Sequence, residues 1–119
     1  MKRDMDLARQ ILIQVEDSPA PFFPVRLNIE GKSQEEIVYH VVLLEEAGWI
    51  EATDVGDDWR LPTRLTWQGC EFLESVKDNT RWKEVKEVTE KIGGFVVQAM
   101  MPTIIEAIKV QARSLLGIP

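Results

Sequence analysis

The sequence predicts an α+β domain in the order helix, short strand, helix, two-stranded hairpin, with a C-terminal helical extension. Three observations carry that expectation. Apolar residues recur at helical spacing from Asp4 to Glu16 and again after Ser33. Between these stretches Val25, Leu27 and Ile29 alternate with Arg26, Asn28 and Glu30, the pattern of a half-buried strand. Beyond Gly48, two strand-like runs flank Gly56-Asp57-Asp58, a hairpin turn signal.

In the first helix Leu7, Ile11 and Val15 form a stripe that Ala8 and Leu12 widen, and Asp4 or Asp6 can cap its free N–H groups. Asp17-Ser18-Pro19-Ala20-Pro21 ends it, because proline lacks a donor and turns its predecessor away from helix. Phe22, Phe23 and Pro24 form an apolar loop expected to fold back on the core. Ser33-Gln34-Glu35-Glu36 is a capping box opening a helix that runs to Ala47. Ile37, Val41 and Leu44 point inward with His40 and Ala47 beside them, while Gln34, Glu35, Val38, Val42 and Glu45 point outward. Gly48 suits the left-handed position that ends a helix.

Strands follow over Trp49 to Val55 and Trp59 to Thr66. On the second, Trp59, Leu61, Thr63 and Leu65 share one face and Arg60, Pro62 and Arg64 the other, with Pro62 marking an edge. Thr66 can cap a helix from Trp67 to Lys77, with Cys70, Leu73 and Val76 inward and Phe72 flanking. Asn79 or Thr80 starts another, Arg81 to Ile92, on Trp82, Val85, Val88 and Ile92. Gly93-Gly94 closes it. A final helix, Phe95 to Leu116, carries Val97, Met101, Ile104, Ile108 and Leu115 along a seam, with a kink at Pro102. One domain over 1–119 is expected, with its core in 1–78 and C-terminal helices in 79–119.

Forty-five per cent hydrophobic and 29% charged residues in 119 positions are ordinary for a globular chain. No apolar run reaches the roughly 20 residues that span a bilayer. The charged opening Met1 to Asp6 lacks the apolar stretch of a leader, so an intracellular, cytoplasmic chain without a membrane role is expected. Cys70 stands alone, without metal-ligand spacing, and Gly93-Gly94 lacks the context of a phosphate loop. No cofactor and no metal is expected, and His40 reads as a buried residue bonding a backbone carbonyl. Cys70 reads as an inert buried thiol, which leaves no nucleophile and base for an enzyme.

Two signatures bear on function: LLEEAGWIE, Leu43 to Glu51, and RLTWQG, Arg64 to Gly69. They resemble the end of the recognition helix and the exit from the wing in MarR-like and PadR-like winged helix-turn-helix regulators. The chain as a whole resembles a bacterial and prophage family, a domain of unknown function. That likeness rests on MKRDMDL, on the EEI-x-YH-x-x-LL core from Glu35 to Gly48, on LTW-x-G from Leu65, and on the Gly-Gly-led final helix. The resemblance implies a winged-helix domain, an architecture that usually binds DNA. One departure stands out: the proline-rich stretch from Glu16 to Ser33 has no room for the ordinary first helix of a helix-turn-helix.

The residues oppose DNA binding. Net charge is −6, with a pI near 4.8. The Ser33 to Ala47 helix carries Glu35, Glu36, Glu45 and Glu46 and no Lys or Arg, whereas phosphate contacts need cations and base reading favours Arg, Asn and Gln. Arg60 and Arg64 read as cross-strand ion pairs with Glu51 or Asp54. Arg81, Lys83, Lys86 and Lys91 interleave with Glu84, Glu87 and Glu90 as a solvated face. Of the four tryptophans, Trp49 and Trp67 are expected to pack on the core and Trp59 to be exposed as an anchor.

The expectation is therefore a regulatory or scaffold module acting through protein contacts, with Val38, Val42 and Trp59 facing the partner. Homodimerisation is expected through Ile104, Ile105, Ile108 and Leu115 on a final helix apolar around much of its circumference. The alternative is a DNA-binding transcriptional regulator using Gln34, Arg60 and Arg64.

Overall fold

The computed structural model describes residues 1–91 and Gly117, with side chains described through residue 88. The described elements are α1 (Met5–Asp17), α2 (Gln34–Glu46), β1 (Ile50–Gly56), β2 (Trp59–Leu65), α3 (Trp67–Val76) and α4 (Asn79–Lys91). The class is α+β. The expected seam of the final helix, including Ile104, Ile105, Ile108 and Leu115, and the kink at Pro102 lie outside the described residues.

The chain divides into two compact units, Met1–Leu73 and Glu74–Pro119. In the first, α1 packs on α2 and β2, and α2 packs on both strands. Asp4 caps α1 by accepting from the Leu7 N–H at 3.2 Å, and Leu7, Ala8, Ile11, Leu12 and Val15 are buried. Each of the Leu, Ile and Val side chains contributes about 1.5–3 kcal/mol on full burial. The Ser33 capping box forms on α2, with Ser33 accepting from the Glu36 N–H at 3.1 Å and the Glu36 carboxylate accepting from the Ser33 N–H. Ile37, His40, Val41 and Leu44 are buried, whereas Val38 and Val42 are half-buried rather than fully outward. Gly48 adopts φ +78, where an L side chain is disfavoured, and its N–H donates to the Glu45 carbonyl.

β1 and β2 pair antiparallel, Ile50 opposite Leu65 and Glu51 opposite Arg64. An irregularity between Glu51 and Ala52 sets Ala52 opposite Pro62, so Pro62 and its neighbour Thr63 are both buried and the expected alternation of faces breaks. Asp57 and Asp58 both have positive φ at the turn.

The expected strand at Val25 to Ile29 is not one: the sheet has two strands, and no helix lies between Asp17 and Gln34. This segment is nonetheless held extended, with Val25 and Ile29 buried and Leu27 half-buried. Its Val25 N–H donates to the Pro62 carbonyl at 2.8 Å. At Asn28 the Gln14 side-chain amide takes the place of a neighbouring strand, donating to the Asn28 carbonyl at 2.8 Å and accepting from its N–H at 3.0 Å.

α3 presents Gly69, Phe72, Leu73 and Val76 as its buried face, so Phe72 is deeply buried and Cys70 is exposed, the reverse of the expected order. The cause is the approach of the helix to Trp49. A Cβ on Gly69 would lie 2.0 Å from the Trp49 carbonyl oxygen, so only glycine allows this contact, and it selects which face turns inward. Trp49 then stacks on Phe72, ring centroids 4.1 Å apart. Trp67, expected to pack inward, is 79% exposed.

In the second unit, α4 begins after Asp78, whose side chain accepts from the Arg81 N–H at 3.0 Å; the cap is one residue earlier than the sequence pattern implied. Trp82 and Val85 are buried, and Val88, expected inward, is exposed.

Candidate functional site

The junction between hairpin and α3 explains the Leu-Thr-x-x-Gly motif in physical terms. The Thr66 hydroxyl accepts from the Gly69 N–H at 3.1 Å, capping α3, and donates to the Gly48 carbonyl at 2.5 Å. The Thr66 N–H donates to the Trp49 carbonyl at 2.9 Å. One residue therefore ties the end of α2, the start of β1 and the start of α3 together. These groups are engaged in holding the fold.

The arginines of the hairpin are engaged as well. Arg60 meets Glu45 of α2 through two parallel hydrogen bonds, Nε to Oε1 at 2.8 Å and Nη2 to Oε2 at 2.6 Å, and also donates to the Ala52 carbonyl. The expected partners were Glu51 or Asp54. Asp54 does lie opposite Arg60 in the register, but its carboxylate accepts from the Gly56 N–H at 2.8 Å and orders the turn. The Arg60 hydrogen bonds hold the Glu45 carboxyl below its ordinary range, against the opposing effect of burial. Arg64 forms the expected cross-strand pair with Glu51, Nη2 to Oε1 at 2.7 Å and Nε to Oε2 at 3.0 Å. Its guanidinium carbon also lies 5.8 Å from the centre of the Phe22 ring.

Away from this junction the hairpin borders a groove of about 720 Å³. Val55, Asp57, Trp59 and Leu61 form one wall. The extended segment supplies Phe23, Pro24, Arg26 and Leu27, and Gln34 contributes from the start of α2. The structure thus brings Trp59 and Gln34 to one place, although the sequence assigned them to different partners. Val38 and Val42 do not line it. Phe22 and Phe23, expected to fold back, are 69% and 68% exposed, with Phe22 at φ +75. Arg26 is exposed and makes no hydrogen bond or ion pair among the described residues. Sequence reasoning missed Arg26 and the two phenylalanines; the available signal was a proline at each side of the Phe22-Phe23 pair, which prevents the loop from forming a ladder of its own.

His40 is 1% exposed, and both ring nitrogens are engaged: Nδ1 donates to the Glu36 carbonyl and Nε2 accepts from the Asp4 N–H, each at 2.8 Å. It joins the start of α1 to α2 and has no nitrogen left to act as a base toward Cys70, which is exposed. Lys32 bonds the Asp4 carboxylate at 2.9 Å beside it. Burial opposes the charge on Asp4, but the hydrogen bonds from Lys32 and the Leu7 N–H prevail and lower its pKa. Among the described residues, no group of three or more His, Cys, Asp or Glu side chains could hold a metal ion, and no helix is long and apolar enough to cross a membrane.

Comparison with known proteins places the chain in a family. A protein from Haemophilus influenzae (strain ATCC 51907 / DSM 11121 / KW20 / Rd), described as "Uncharacterized protein", is 39% identical over 90 residues, covering 72% of this chain and 76% of that relative. No solved structure matches. The family model described as "Hypothetical protein (DUF2513)" matches residues 2–95, and the chain belongs to that family, a domain of unknown function.

Proposed function

We propose that this chain is a non-enzymatic, winged-helix-like module that acts through protein–protein contacts in a regulatory or scaffolding role. In this reading α2 takes the place of a recognition helix and the β1–β2 hairpin that of a wing. The order of α2, hairpin and α3 supports it, as does the Thr66–Gly69 junction.

The observation that carries the protein reading over a DNA reading is the state of the arginines. Arg60 and Arg64 are each closed in a two-pronged carboxylate pair, and a phosphate would have to displace Glu45 or Glu51 to reach them. Meanwhile Trp59, Phe23 and Val55 present apolar surface around a groove, as protein-binding sites do. An exposed, unpaired Cys70 suits a reducing, cytoplasmic setting. Self-association through Ile104, Ile105, Ile108 and Leu115 completes the proposal, giving a homodimer.

Fluorescence anisotropy with duplex DNA at low salt tests it. Non-specific DNA binders hold duplex with Kd on the order of 1–100 μM at physiological salt, and more tightly as salt falls. The expected result is no binding in that range. Salt-sensitive binding that weakens in Arg60→Ala or Arg64→Ala would establish the DNA-regulator alternative instead. Light scattering at high concentration reads the dimer, and a monomer mass removes that part.

A further inference from the structure

We propose that the groove between the hairpin and the extended segment receives an extended stretch of a partner protein bearing a large apolar side chain with a carboxylate beside it. The proposal rests on the protein-contact reading and names the chemistry of the partner.

Size is the first argument. About 720 Å³ falls inside the range of roughly 300–1,000 Å³ typical of sites that bury most of a ligand. It exceeds one side chain and suits several residues of chain. The apolar walls, Trp59 and Leu61 on one side and Phe23 and Leu27 on the other, supply a seat for an aromatic or aliphatic anchor.

Charge is the second argument. Arg26, Arg60 and Arg64 all lie on the elements around the groove, yet only Arg26 is without a carboxylate. A guanidinium presents a planar fork of donors that matches a carboxylate in two parallel bonds, the arrangement Arg60 and Arg64 already adopt. The groove therefore contains the third such fork with its counterpart missing. Gln34, exposed and unbonded among the described residues, offers a donor and an acceptor to the backbone of an extended chain. Asp57 on the hairpin wall repels a second acid, so the incoming segment is oriented with its carboxylate toward Arg26. One cation facing an acidic turn is too little for a phosphodiester row, which favours a peptide over nucleic acid.

Selection of random displayed peptides on the full chain, with Arg26→Glu as the counter-selection, tests this directly. Enriched peptides are expected to share an Asp or Glu next to Trp, Phe or Leu. A labelled enriched peptide should lose about tenfold in affinity on Arg26→Gln and at least as much on Trp59→Ala. Exchanging its acid for lysine should abolish binding to the wild type and restore it to Arg26→Glu. Thermal melts of each variant confirm folding, and Arg26, being exposed and unbonded, keeps the test alive should Trp59→Ala unfold. Enriched peptides without an acid, or binding indifferent to Arg26, would overturn the proposal. Peptides that bind through Val38 and Val42 instead would overturn the groove while leaving the protein-contact reading intact; salt-sensitive DNA binding through Arg60 and Arg64 would remove that reading itself.

Discussion

The two ends of the hairpin are built to opposite rules. At the base, Trp49, Ile50, Gly69 and Phe72 are buried, and Thr66 bonds backbone groups of Gly48, Trp49, Gly69 and Cys70. At the tip, Val55, Asp57 and Asp58 are exposed, Trp59 is half-buried, and Phe23 opposite them stands open to water. Residues at the base are accounted for by the fold. Those at the tip are not, since exposed Phe and an unpaired Arg add little to stability, and surface left over by folding is where binding is carried.

The largest expected effect lies at the base. Gly69→Ala puts a methyl group 2.0 Å from a backbone oxygen and should cost about 3 kcal/mol or more, read as a shift of the urea midpoint. A change within about 0.5 kcal/mol would break the contrast, because the base would then be loose enough to yield. Next comes Thr66→Ala, which removes a cap and should cost about 1–2 kcal/mol, with Thr66→Ser recovering most of it.

Smaller still is Glu45→Gln, whose effect depends on pH. The Glu45 pKa is lowered in the fold from its ordinary value of 4.5. The stabilisation is thus fully present above that value and disappears as pH falls through the lower folded one. Wild type and Glu45→Gln should differ in melting temperature at neutral pH and converge in acid. A gap that persists in acid would point to lost packing rather than lost charge. Least of all, Phe23→Ser should shift stability by no more than about 0.5 kcal/mol while reducing capture of any partner. Marked destabilisation there would make the tip part of the core.

What was legible in the sequence was local. The Ser33–Glu36 capping box, Gly48 and the Thr66 cap each form between residues at most four apart or demand a particular backbone shape, so a short window contains the whole interaction. What was not legible depended on partners far along the chain. Periodicity on α3 pointed to Cys70, but the clearance at Gly69 turned the helix so that Phe72 went in. A cross-strand reading pointed Arg60 toward Glu51 or Asp54, yet Arg64 holds Glu51 and the turn holds the Asp54 carboxylate. Alternation at Val25 to Ile29 correctly marked two buried positions and could not say that a glutamine on α1 would do the work of a strand. The groove shares this origin: its walls come from three separate stretches of chain, and Arg26 has meaning only beside Trp59 and Gln34.

That glutamine has a consequence at a distance. The strip of chain carrying Arg26 is moored at two points, Val25 to Pro62 and Asn28 to Gln14, with the guanidinium-bearing residue between the moorings. Cutting the mooring on α1, as Gln14→Ala does, should slacken the strip and weaken ligand capture without altering any residue that lines the groove.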